Sequence, residues 1–165
     1  MAAWQFDFHL LPFEAVAKRF GGMPVAISRA DFEETHWWVG CVESDLQASF
    51  ARLLPALESW SDSVQRWGDE QGNRIDVVTE RGTLEDVLVR VDVRNISQVF
   101  LISLLDIARR ADWVLRLHDG RVIRPSFTKV LTAIRKSDAF RFVDNPDAFL
   151  RALERSRETD PDDSI

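Results

Sequence analysis

The 165-residue sequence predicts an α+β fold: a single antiparallel or mixed sheet built from hairpins, with helices packed mainly on one face. Three observations lead there. Apolar and polar residues alternate with a period of two near the N-terminus and twice in the middle of the chain. Turn chemistry joins neighbouring strand candidates into local hairpins, and helical stripes interleave with the strands without the regular alternation of a doubly wound sheet. The size and composition suit this reading, because 45% apolar and 29% charged residues in a chain of this length supply one ordinary core. One domain is expected over residues 1–155, followed by an acidic tail over 156–165 with little to bury.

Taken in order, Trp4, Phe6, Phe8 and Leu10 alternate with Gln5, Asp7 and His9, a strand that Pro12 stops. Phe13, Val16, Ala17 and Phe20 recur at helical spacing before Gly21-Gly22, which suits a glycine cap. A brief strand is expected at 24–28, and 30–43 has no clear period. Ser44 followed by Gln47 reads as a capping box opening the main helix, 45–67, whose stripe is Leu46, Phe50, Leu53, Leu54, Leu57, Trp60, Val64 and Trp67. Pro55 lies off that stripe and should kink or break the helix. Trp4, Trp60, Trp67 and Trp113 are all placed in the core by their positions on apolar stripes.

Asp69 to Asn73 is turn chemistry, after which the alternating runs Ile75–Thr79 and Val87–Val93 flank Arg81-Gly82 as an antiparallel hairpin. Opposite charges are favoured directly across a pair, so Asp76 is expected opposite Arg90 and Arg74 opposite Asp92. Residues 96–111 are apolar nearly all round and predict a buried central helix, with Arg109 and Arg110 suited to its C-terminal dipole. Trp113–Leu117 and Arg121–Ile123 form a hairpin about Asp119-Gly120, a pair suited to a type I′ turn. Ser126 should cap one helix and Asn145-Pro146 start another, with Phe140 and Phe142 in an extended piece between them.

The charge balance narrows the partners. A net charge of −6 and a pI near 5.1 favour cationic partners and repel nucleic acid and anionic lipid. The most apolar stretch, Val99–Leu105, is far shorter than the roughly 20 residues of a membrane-spanning helix. The first residues lack the basic start and apolar run of a secretory signal, and the lone Cys41 has no partner for a bridge or a zinc site, so a reduced cytoplasmic location and a monomer are expected.

The search for chemistry finds no phosphate-cradling glycine loop and no Gly-x-Ser-x-Gly elbow. His9, His36 and His118 fall in different elements without ligand spacing. Cys41 with His36 nearby, and Asp7 with His9 on one strand face, are the only acid-base or nucleophile pairs, and a plain structural reading outweighs both. No catalytic, metal or cofactor-binding residue is therefore assigned, and the chain is expected not to be an enzyme. Asp76, Arg90, Asp92 and Arg94 could clamp a carboxylate or other anion, though structural cross-strand pairing is the more frequent role of such a lattice. The segment Glu33, Glu34, Thr35, His36, Trp37, Trp38, joined by Glu43, Asp69 and Glu70, has the composition of an aromatic docking spot with an acidic rim, and is the expected partner surface.

The blocks from Trp67 to Val77 and from Val89 to Arg94, and the run from Ser137 to Pro146, resemble small bacterial proteins found as immunity partners of polymorphic toxins. The resemblance spans about the last two thirds of the chain. It implies a cytoplasmic, non-enzymatic protein that blocks a cognate toxin by docking over its active site or substrate groove. An acidic surface would suit a basic groove, such as a nuclease has. Two other readings stand beside it. One is an enzyme or small-ligand binder using the Arg90, Asp92 and Arg94 face with Asp7 or His9; the other is a structural adaptor subunit.

Overall fold

In chain order the computed structural model, which describes residues 2–158, runs β1 (Gln5–Pro12), α1 (Phe13–Phe20), α2 (Arg29–Glu34), α3 (Glu43–Ala51), β2 (Ala56–Leu57), β3 (Val64–Gly68), β4 (Arg74–Glu80), β5 (Thr83–Asp92), α4 (Gln98–Arg110), β6 (Trp113–Leu117), β7 (Val122–Ile123), α5 (Phe127–Arg135), α6 (Asp138–Asp144) and α7 (Pro146–Glu158). The strands form one seven-stranded sheet in the order β2-β3-β4-β5-β1-β6-β7, with every pair antiparallel. The fold is α+β, as the alternating runs predict. β1 enters between β5 and β6, and that insertion joins residues far apart in sequence.

Alternation gives the sheet two chemically different faces. Phe6, Phe8 and Leu10 of β1 share a face with Val87, Val89 and Val91 of β5, Ile75 and Val77 of β4, and Leu115 and Leu117 of β6, all buried. Phe50 of α3 seals this side against Trp67 and Trp113, at ring separations of 5.8 and 6.3 Å, and Trp38 meets Trp113 edge-on at 5.3 Å. The opposite face carries Asp7, Arg66, Arg74, Asp76, Arg90 and Arg116. Phe32 of α2 covers one end of it, 4.6 Å from the His9 ring and beneath the Arg116 guanidinium.

The expected main helix over 45–67 does not form. α3 ends at Ala51, and residues 56–57 and 64–68 are the outermost strand of one sheet edge and its neighbour. The cause is local. Pro55 cannot donate to a helix, and its carbonyl accepts from the Gly68 amide at 2.7 Å. Ser59, Ser61 and Ser63 bond to one another and to nearby backbone, offering the chain an alternative to helical hydrogen bonds. Trp60, placed in the core by the stripe, is 81% exposed. The expected capping box is also absent: Val42 is the N-cap and Gln47 bonds the Glu43 carboxylate.

The charge-based register is displaced. Arg74 faces Arg90, and Asp76 faces Leu88, because Arg81 and Gly82, both at positive φ (52° and 78°), make a tight turn that pairs Glu80 with Thr83. A bulge between Val78 and Thr79 sets the rest. Turn geometry outweighs a cross-strand charge preference worth about 0.2–1 kcal/mol. Asp76 instead faces Arg66 on β3, and Asp7 faces Arg90 across β1 and β5. At the β6–β7 connection, Asp119 is not at positive φ. The loop has three residues, with Gly120 at φ 88° and the Leu117 amide bonded to the Arg121 carbonyl, not the two-residue type I′ turn expected.

Smaller differences follow from caps. The brief strand at 24–28 reduces to one bridge, Ala26 with Arg121. Ser28 caps a short helix inside the aperiodic segment, and Ser137 caps α6 where Phe140 and Phe142 were expected to be extended. α4 is amphipathic instead of buried all round: Leu101, Leu104 and Ala108 are fully buried while Val99 is 79% exposed. α1 ends at Gly21 and Ser126 caps α5, as expected. α7 begins at Pro146 and continues to Glu158, so 156–158 are helical and the rest of the expected tail, 159–165, lies outside the described residues.

Candidate functional site

The β3–β4 connection concentrates polar chemistry. Gly68, at φ 111°, opens the turn, and a Cβ there would lie 2.1 Å from the Asn73 carbonyl oxygen, so only glycine fits. Asp69 accepts from the Gln71 amide, Trp4 Nε1 donates to the Gln71 carbonyl, and Gln5 Nε2 donates to the carbonyls of Glu70 and Gly72. The Asn73 side chain accepts from the Asp92 amide. A turn tied by this many bonds holds Glu70 over the polar face of the sheet.

There Arg66, Arg74 and Arg90, with Gln5, Glu70 and the exposed Trp60, line an open cleft of about 390 Å³. Arg66 and Arg74 are buried and share two acids. Asp76 lies between them, 3.4 Å from Arg66 Nε and 3.0 Å from Arg74 Nε. Glu70 spans their outer ends, Oε1 at 2.7 Å from Arg66 Nη2 and Oε2 at 2.6 Å from Arg74 Nη1. The hydrogen bond from Arg66 holds the Glu70 carboxyl below its ordinary pKa, with Arg74 and Arg90 adding to the effect.

Arg90 is the least compensated of the three. It faces Arg74 directly across the strands, and its acid, Asp7, stands 3.9 Å away, beyond hydrogen-bond length. Arg90 Nε and Asp7 Oδ1 are both buried without a hydrogen-bond partner. Asp7 also borders a second, more apolar cavity of about 420 Å³ between Phe6, Leu117, Ala133, Ala139, Phe149 and His118.

Burial raises the Asp7 pKa, against the lowering effect of Arg90 and, after it, His118 and His9. The folded state therefore holds that proton more tightly than the unfolded chain. Stability falls as pH rises from the unfolded value through the raised folded value, and the full penalty is present above it. Asp7→Asn should melt higher than the native chain at neutral pH, and the difference should close as pH falls into the ordinary carboxylate range. Thermal melts across roughly pH 4 to pH 8 check this, and parallel curves throughout would contradict it.

The expected partner surface divides. Trp37 and Trp38 are 2% and 1% exposed, so neither is a surface contact. Trp37 stacks on Phe32 and Phe20 and donates to the Phe32 carbonyl, while Trp38 fills the core. Glu33 pairs with Arg29 and His36 with Glu85, both on the outside; Glu34 is exposed and Glu43 half-buried at the start of α3. Glu70 belongs instead to the arginine cleft, and Asp69 stays in the turn that carries it, accepting from the Gln71 amide. Asp92 and Arg94, expected to act with Arg90, pair with each other, and Arg94 lies over the Trp4 ring at 4.4 Å. His9 bonds Asp86 at 2.8 Å, so it makes no couple with Asp7. Cys41 is exposed, and partial burial with Glu14 nearby raises its thiol pKa, which works against a nucleophilic role.

Arg66 and Trp60 were missed because the stripe assigned both to a helix. Serine at 59, 61 and 63 was the available signal. Comparison with protein-family models, curated proteins and solved structures found no match. Among the described residues no group of acids, histidines and cysteine is placed to hold a metal ion, and no helix is long and apolar enough to cross a membrane.

Proposed function

We propose that this is a cytoplasmic, non-enzymatic immunity protein that neutralises a cognate bacterial toxin by docking over its active-site groove, and that the arginine cleft with Trp60 is the centre of the docking surface. The observation that carries the reading is an 81% exposed tryptophan at the edge of a cleft lined by three arginines, since tryptophan and arginine dominate binding hot spots. Two of the three sequence stretches that carry the resemblance to immunity proteins lie on adjoining strands and the turn beside this cleft, which adds support; the third, Ser137 to Pro146, lies at α6. The net charge of −6 favours approach to a basic groove.

Co-expression with the product of the neighbouring gene tests it. The chain should protect cells and co-purify with that product. Trp60→Ala should weaken the complex by about 2 kcal/mol or more while leaving the melting temperature unchanged, because the exposed ring contributes little to the core. A chain that neither protects nor co-purifies would refute the toxin reading, and full binding by Trp60→Ala would remove the cleft from the interface.

A further inference from the structure

We infer that the cleft between Arg66, Arg74 and Arg90 is a carboxylate-binding site that Glu70 occupies as a resident ligand, and that an acidic side chain of the docked protein displaces it. The inference rests on the docking reading for its occupant, though its chemistry can be tested without a partner. The group now bridging Arg66 and Arg74 is itself a carboxylate, with both oxygens at charge-assisted hydrogen-bond length, so the arginine forks are already set for that shape. Glu70 comes from a turn and is 57% exposed, so it can swing outward without unpacking the core. Arg90, facing Arg74 and lacking a partner for Nε, gains from an anion that reaches deeper than Glu70 does.

Charge balance selects a monoanion. Arg66, Arg74 and Arg90 already lie beside Asp76, Glu70 and Asp7, so exchanging Glu70 for another carboxylate conserves the balance, whereas a phosphate dianion would be repelled by Asp76 and Asp7 beneath it. The openness of the mouth selects a protein side chain over a free acid. With Trp60 and Glu70 both largely in solvent, a small molecule would have little of its surface enclosed. A toxin groove that is basic yet holds catalytic carboxylates would present such a group to an otherwise acidic surface.

The test follows the arginine Nε–H signals by NMR at constant ionic strength, titrating the native chain and Glu70→Gln separately with acetate, benzoate and inorganic phosphate. Acetate should shift the Arg66, Arg74 and Arg90 signals saturably in the millimolar range, and roughly tenfold more tightly in Glu70→Gln, where the competing carboxylate is gone. No saturable shift in either protein would overturn the carboxylate site and leave docking through another contact open. Phosphate binding more tightly than acetate would overturn the choice of anion. Micromolar binding of benzoate would overturn the protein side chain as occupant, since a free acid would then suffice. Acetate binding without any toxin complex would keep the site and reject the docking reading.

Discussion

Trp38→Ala should destabilise the protein by about 3–5 kcal/mol, a large share of the roughly 5–15 kcal/mol that holds a typical domain folded. Trp38 is the largest of the fully buried side chains and meets Trp113 edge-on, while Phe50 packs against Trp113 from α3, so its removal leaves a void where α3 meets the sheet. The indole Nε1 is buried without a hydrogen-bond partner. Trp38→Phe should therefore cost much less than the alanine variant, because it keeps a ring in place and removes a polar group that gains nothing inside. Urea denaturation should show the midpoint falling steeply for Trp38→Ala and slightly for Trp38→Phe at an unchanged slope. An unmoved midpoint combined with lost partner binding would return Trp38 to the surface role its sequence neighbourhood suggests.

Asp76→Ala should cost about 3–5 kcal/mol, because it strips two buried arginines of the acid between them. Glu70 also contacts both guanidinium groups, but from solvent, and Glu70→Gln should lower the melting temperature far less. The contrast is one of burial, since water can replace the exposed carboxylate and cannot reach the place of the inner one. Thermal melts of the two variants should separate clearly, and the loss in Asp76→Ala should persist at high salt, which screens exposed pairs much more than buried ones. Equal, small losses in both would mean that the cleft floor is hydrated and that Asp76 is not the inner counter-charge.

Much of the fold was legible in the sequence. β1, β4, β5 and β6 were all expected near their observed positions, because a strand with one buried face writes its period directly into residue type. The caps at Gly21 and Ser126 and the helix start at Pro146 were legible for similar reasons. The site was only half legible. Glu70 and Arg90 were singled out, but with the wrong companions, since Asp92 and Arg94 bond to each other while Arg66 and Arg74 complete the cleft.

The sequence alone therefore determined which residues face inward along β1, β4, β5 and β6 and that neighbouring strands would pair as local hairpins in an antiparallel or mixed sheet, because alternation and short turns are local properties. Tertiary structure decided the rest. Insertion of β1 between β5 and β6 brings Asp7 to Arg90; β3, cut from an apparent helix by Pro55 and its serines, brings Arg66 to Asp76; and the tight Arg81-Gly82 turn with its bulge sets Arg74 against Arg90. Apolar spacing reports that a side chain is buried somewhere, but not what it is buried against. For Trp37, Trp38 and Trp60 that difference inverted which tryptophans a partner could touch.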